Sequence, residues 1–212
     1  MNKYILYYSH NNLPEDMEIF FQEELIKAGD GIPIISVCKK QRTEYCKTFA
    51  SINILTPQNQ PSGIKDQMAL GIEAILNLDR DAMVYLAEHD VLYPTSYFNN
   101  SPDSTTTFLK NFNLYFANKE GYMGPHNNYI HSQTIGHATL FDYCLKEEVH
   151  SHKKFKSLNG YTLKQFNNSD PSIDVRHGFN VSGYRESNRY VDELPYWGKH
   201  CDLIKTIPLI RK

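Results

Sequence analysis

The sequence predicts an α/β fold: one domain built on a central, mostly parallel mixed sheet flanked by helices. Three observations carry that prediction. A strand-like run, an amphipathic run and a second strand-like run follow one another within the first 37 residues, which is the pattern of a parallel crossover. A polar-faced helical run later leads into Ala82–Ala87, six residues that are apolar throughout, as a central parallel strand covered on both faces must be. The length of 212 residues suits a single domain with a sizeable core.

Each element follows from its residues. Lys3 to Ser9 (KYILYYS) is rich in aromatic and aliphatic side chains and is stopped by His10-Asn11-Asn12-Leu13-Pro14, so it reads as the first strand. From Glu15 to Ala28, Met17, Phe20, Phe21, Leu25 and Ala28 recur at helical spacing, acids crowd the first turn and Gly29 stops the run. That is an amphipathic helix. Pro33 to Val37 (PIISV) reads as a buried second strand and Ile52 to Leu55 as a candidate third. Ser62 is placed to cap a helix with Ile64, Met68, Ile72, Ile75 and Leu76 on its apolar face and Lys65, Asp66 and Gln67 on its polar face. The apolar run Ala82–Ala87 (AMVYLA) then ends in Glu88-His89-Asp90. Beyond it Leu92-Tyr93-Pro94 begins a turn, and Ser96 to Asp103 reads as loop. Strand signals return at Leu114 to Phe116 and at Tyr129 to Ile130, and Thr139 to Val149 has helical spacing. The final third is turn-rich and weakly periodic.

Charge narrows the partners. Twenty-two Lys and Arg against 24 Asp and Glu leave a formal charge of -2, so no global field draws the chain to phosphate backbones or anionic membranes. No apolar run approaches the ~20 residues that cross a bilayer, and MNKYILYYSHNN lacks the pattern of a signal peptide. A cytoplasmic protein is expected. Cys38, Cys46, Cys144 and Cys201 include no CxxC pair, which argues for reduced, mostly buried thiols rather than a zinc knuckle or redox motif.

The chemistry gathers where the apolar strand ends. In open α/β sheets, ligands bind outside the carboxyl ends of parallel strands. Glu88 and Asp90 stand there, two ionised acids whose mutual repulsion and lost solvation make a divalent cation a natural counter-charge. This suggests a metal and diphosphate site. Strand alternation would turn His89 away from both neighbours, which favours a structural role for it. Acids also end strands and open turns without any ligand, and that is the plain alternative.

The order of elements, together with Tyr85-Leu86-Ala87-Glu88-His89-Asp90-Val91-Leu92-Tyr93-Pro94, Ile173-Asp174-Val175-Arg176-His177-Gly178-Phe179-Asn180-Val181-Ser182-Gly183 and Tyr196-Trp197-Gly198-Lys199, resembles small GT-A-fold nucleotide-sugar glycosyltransferases of bacteriophage and bacterial type. The resemblance implies one Rossmann-like GT-A domain over 1–212, with 1–94 as the nucleotide-sugar half and 95–212 as the acceptor side and a C-terminal metal- and phosphate-binding segment. It implies Asp90, His177 and Glu88 as ligands of Mn²⁺ or Mg²⁺, with Glu in place of the usual first Asp. It implies donor contacts from Tyr8, Ser9, His10, Asn11, Lys65, Gln67, Glu88, His89 and Arg176. A carboxylate, imidazole and diphosphate oxygens suit six-coordinate Mn²⁺ on chemical grounds as well.

The activity expected from this resemblance is metal-dependent transfer of a sugar from a nucleoside diphosphate sugar, most readily a UDP-sugar, to a hydroxyl. A hydroxymethylated base in phage DNA is the leading acceptor, and a polysaccharide or other glycan is the alternative. The cytoplasm of a bacterium or phage-infected host is the compartment. Two rivals use the same residues: a metal-dependent phosphohydrolase or nucleotidyltransferase, and a non-catalytic nucleotide-sugar-binding module. Spacing selects no catalytic base among Asp142, Glu147 and His137.

Overall fold

The computed structural model describes residues 1–9, 13, 15–38, 50–56, 63–111, 114–116, 121–123, 130, 133–147, 160–166 and 172–176. Its helices are α1 (Glu15–Gly29), α2 (Ile64–Leu78), α3 (Thr95–Asn99) and α4 (Ala138–Lys146). Its strands are β1 (Lys3–Tyr8), β2 (Ile34–Cys38), β3 (Ile52–Leu55), β4 (Met83–Glu88), β5 (Val91–Leu92), β6 (Thr107–Lys110), β7 (Leu114–Phe116), β8 (Gly121–Met123), β9 (Thr134–His137), β10 (Thr162–Gln165) and β11 (Ile173–Arg176).

Seven strands form the main sheet in the order β10-β6-β9-β4-β1-β2-β3. The β1–β2, β2–β3, β1–β4 and β6–β10 pairs are parallel, and β9 runs antiparallel between β4 and β6. The predicted mixed, mostly parallel α/β class is therefore the observed one. A second sheet, β5-β11-β7-β8, stands beside the end of β4.

Alternation in the central strands divides the core between the two faces. Leu6, Tyr8, Val84 and Leu86 face α2 and α4, packing with Met68, Ile72, Ile75 and Phe141. Ile5, Tyr7, Met83, Tyr85 and Ala87 face the other way, with Leu25 and Ala28 of α1 and Tyr93, Tyr97 and Phe98 around α3. Both faces are covered, which explains why AMVYLA carries no polar residue. On the α1 side, the Tyr7 hydroxyl donates to Glu18 Oε1 at 3.0 Å and accepts from Gln22 Nε2 at 3.4 Å, tying helix to strand.

Several elements differ from the expectation. The residue capping α2 is Gly63, whose backbone N donates to the Asp66 carboxylate at 3.2 Å; Ser62 lies outside the described residues. The stretch read as loop contains α3, because Tyr97 and Phe98 are pulled into the core by Tyr85 and Tyr93. Strands β6, β9, β10 and β11 carried too few alternating residues to stand out, and their pairing with long-range partners decides them. Ile130 is buried but not in a strand. Cys38 and Cys144 are buried and form no disulfide, and burial pushes Cys144 up to about 12; Cys46 and Cys201 lie outside the described residues. Among the described residues, no helix is long and apolar enough to cross a membrane.

Two features make testable demands. A Cβ on Gly136 would run into the Phe108 ring and come within 3.2 Å of Phe141, so Gly136→Ala is expected to lose ~1–3 kcal/mol in chemical denaturation. Lys110 is fully buried at the end of β6, and burial lowers its amine from 10.5 to about 7. The folded chain then holds fewer protons than the unfolded chain between those values, so stability rises with pH across that window. Lys110→Met should lack this rise, so its melting temperature relative to the wild type should fall as pH goes from 7 to 10.5; a pH-independent difference would contradict this origin.

Candidate functional site

The site begins where β1 and β4 stop side by side, with Tyr8 in register with Glu88. Polar side chains inside either strand would be sealed between two apolar layers, so the polar groups collect at this edge. Beyond Glu88, His89 and Asp90 form a tight turn that hands the chain from the first sheet to β5 in the second. Strand β11 holds that turn from outside: Asp174 is opposite Val91, and Val175 N donates to Asp90 O at 2.9 Å.

Glu88, His89 and Asp90 are only 6%, 3% and 5% exposed, and their ligand-type atoms all lie within 4.8 Å of one another. His89 therefore does not turn away from its neighbours as strand alternation predicted. The strand ends at Glu88, and the turn that follows sets the imidazole beside both carboxylates. The Glu88 backbone N donates to the Tyr93 hydroxyl at 3.1 Å, which fixes the strand end from the α3 side.

Tyr8 is fully buried, so it can offer a ligand its hydroxyl edge rather than a stacking face. Burial pushes that phenol well above its usual value, and the negative charges of Glu88, Asp90 and Asp174 push it further. It stays protonated, an O–H donor among three carboxylates. Asp174, 1% exposed, belongs to the late segment Ile173–Gly183, whose pattern alone gives it no role. An acid between Ile173 and Val175 in a strand was the available signal.

The first turn of α2 reaches the same edge. Gln67 Nε2 donates to Ser9 O at 3.0 Å, linking the helix start to the end of β1. The buried Ser9 Oγ and Gln67 Oε1 find no hydrogen-bond partner among the described residues, which leaves an acceptor and a hydroxyl for a ligand to satisfy. The positive end of the α2 dipole lies here too. Two carboxylates and an imidazole fit a hard or borderline divalent cation, and the orphaned polar atoms beside them fit a polar molecule bound over it.

Other sequence-derived candidates fall elsewhere. Lys65 is half-buried on α2, about 200° around the helix from Gln67. His137 pairs with Met83 at the opposite end of β4, and burial lowers its imidazole. Asp142 is paired with Lys146 at 2.7 Å on the outer face of α4, and Glu147 caps the end of that helix. His137, at the far end of β4 from the acid turn, does not stand where a base would have to. His10, Asn11, His177 and the Arg176 side chain lie outside the described residues; the Arg176 backbone pairs with Phe116 at the end of β11. Lys39, Lys40, Arg42, His126, His131 and the basic stretch 150–156 lie outside them as well.

No protein-family model matches the chain, and no curated protein matches it in sequence. Solved structures do. A 4-diphosphocytidyl-2C-methyl-D-erythritol synthase aligns over 97% of this chain and 99% of its own, with a TM-score of 0.53 and 8% identity. The bifunctional IspDF of Campylobacter jejuni aligns over 79% of this chain with a TM-score of 0.52 and 11% identity, and the chain spans 50% of that protein's length. The 4-diphosphocytidyl-2C-methyl-D-erythritol synthase of Anaerococcus prevotii aligns over 78% of this chain and 86% of its own, with a TM-score of 0.51 and 9% identity. At such identities the likeness establishes the fold alone, a Rossmann-like mixed α/β domain.

These neighbours are nucleotidyltransferases, and they overturn the expected sugar transfer from a UDP-sugar to a hydroxyl on DNA or glycan. The physical reason is that Glu88-His89-Asp90 at a strand end suits any nucleotide bound with a divalent cation. The pattern does not specify which bond of the nucleotide is broken.

The Tyr93 contact generates a prediction. Tyr93→Phe leaves the buried Glu88 N–H without its acceptor and is expected to lose ~1–3 kcal/mol of stability in urea denaturation. An unchanged midpoint would show that the hydroxyl does not hold the strand end.

Proposed function

We propose that the chain is a nucleotidyltransferase, joining a nucleoside monophosphate unit from a nucleoside triphosphate to an oxyanion of a phosphorylated acceptor. The observation that carries the reading is the buried Glu88–His89–Asp90 cluster at the carboxyl ends of β1 and β4. The fold shared with nucleotidyltransferases supports it.

In this reading the acceptor oxygen forms a bond to the α-phosphorus while the bond from that phosphorus to the bridging oxygen breaks, and pyrophosphate leaves with the electron pair. Asp90 and Glu88 hold Mn²⁺ or Mg²⁺, with His89 beside them and Asp174 on the facing strand. His177, on the segment following β11, is proposed as a further ligand and Arg176 as a phosphate contact. The cation supplies charge neutralisation of the triphosphate. Ser9 and Gln67 take up the nucleoside side through their buried polar atoms, and His10 and Asn11 are assigned to the same side. Burial of the site would strengthen the cation's attraction for the charge that develops on the leaving phosphates.

The test is pyrophosphate release from each of the four nucleoside triphosphates, with Mn²⁺ or Mg²⁺, against a panel of sugar and polyol phosphates. Wild type should release pyrophosphate and form a mass-identifiable nucleotidyl product. Asp90→Asn should be slower by about two powers of ten with an unchanged melting temperature. Metal-dependent nucleotide binding without turnover would overturn the enzymatic reading in favour of a binding module.

A further inference from the structure

The two sheets meet through a fully buried hydrogen-bonded clasp. Gln133, just before β9, has φ +68°, a left-handed conformation that a glutamine rarely adopts. Its backbone N donates to Leu86 O of β4 at 3.3 Å, and its backbone O accepts from Asn111 N, just past β6, at 3.1 Å. The Ser172 hydroxyl donates to Asn111 O at 2.6 Å, and its Oγ lies 2.9 Å from the side-chain Oε1 of Gln133, so the one proton is shared between the two oxygens. Gln133 and Ser172 are both 0% exposed and Asn111 is 1% exposed. Ser172 immediately precedes β11 and stands two residues before Asp174. A line of hydrogen bonds thus runs from the strand that carries Glu88 to the strand that carries Asp174.

We propose that Ser172 and Gln133 are positioning residues for the acid site, locking the start of β11 to β4 and β6 so that Asp174 stands against the Glu88–His89–Asp90 turn. The proposal rests on the reading of that turn as a cation site. Short covalent distance supports it: with one residue between Ser172 and Asp174, a shift of the serine moves the acid almost directly. The register supports it too, because Asp174 faces Val91 and Val175 N holds Asp90 O. Side-chain rotation at Asp174 does not relieve a misplaced strand. The left-handed backbone at Gln133 stores strain that the fold retains where its N–H, C=O and amide oxygen are all engaged.

The experiment is Mn²⁺ binding to the full chain, followed by the electron paramagnetic resonance signal of free Mn²⁺, with thermal melting alongside. Ser172→Ala and Gln133→Gly should each weaken Mn²⁺ about tenfold, the lower range for groups that orient metal ligands. Ser172→Thr, which keeps the hydroxyl, should restore affinity. Glycine accepts the left-handed backbone, so Gln133→Gly removes the side-chain link to Ser172 without adding strain. It decides the matter if Ser172→Ala does not fold. Wild-type affinity in a folded Ser172→Ala or Gln133→Gly protein, while Asp90→Asn loses Mn²⁺, overturns the positioning role alone. Wild-type affinity in Asp90→Asn overturns the cation reading and the clasp proposal with it.

Discussion

Everything at the candidate site depends on two carboxylates and an imidazole held out of water at the end of one strand. Ionised acids within a few ångströms of each other and almost fully buried are expensive in isolation. The fold accommodates them by placing them where β4 leaves its apolar layers, with the Tyr8 hydroxyl, the α2 N-terminus and the ends of two sheets around them. The divalent cation of the proposed function would offset the remaining repulsion, and that is the physical link the proposal draws from burial to function.

The second sheet is what turns a strand end into a site. In the main sheet alone, His89 and Asp90 would be an exposed turn. Strand β11 pairs with β5 across that turn, donates to the Asp90 carbonyl and brings a third carboxylate into its field. Aromatic packing does the same work from the other side. Tyr93, Tyr97 and Phe98 pack on one another and on Tyr85, while the Tyr97 hydroxyl lies 3.1 Å from both Leu86 O and Thr134 O. The end of β4 is thereby fixed on three sides before any ligand arrives.

The N-terminal half was legible because its periodicities are strong and its neighbours in sequence are neighbours in space. KYILYY, PIISV and AMVYLA are apolar because both faces of their sheet are covered, and α1 and α2 show helical spacing because each buries one face. The middle of the chain resisted the same treatment. Residues 96–103 looked like loop since nothing local shows that Tyr97 and Phe98 pack on Tyr85 and Tyr93. TFLK of β6 ends in a lysine, an unpromising sign for a buried strand, and it became one through β9 and β10. Glu88 and Asp90 were legible as paired acids at a strand end. His89 was not, because a period of two holds only while the strand continues.

By itself, the sequence determined the α/β class, the central parallel strands and the acid-rich end of β4, because hydrophobic periodicity and a charged terminus are local properties of the chain. Tertiary structure alone decided that His89 joins Glu88 and Asp90, that Asp174 pairs opposite Val91 just past them, and that Ser172 and Gln133 tie the sheets together. Those relations link residues as far apart in the chain as Val91 and Asp174. Strand pairing, not any pattern a short window can hold, brings them into contact.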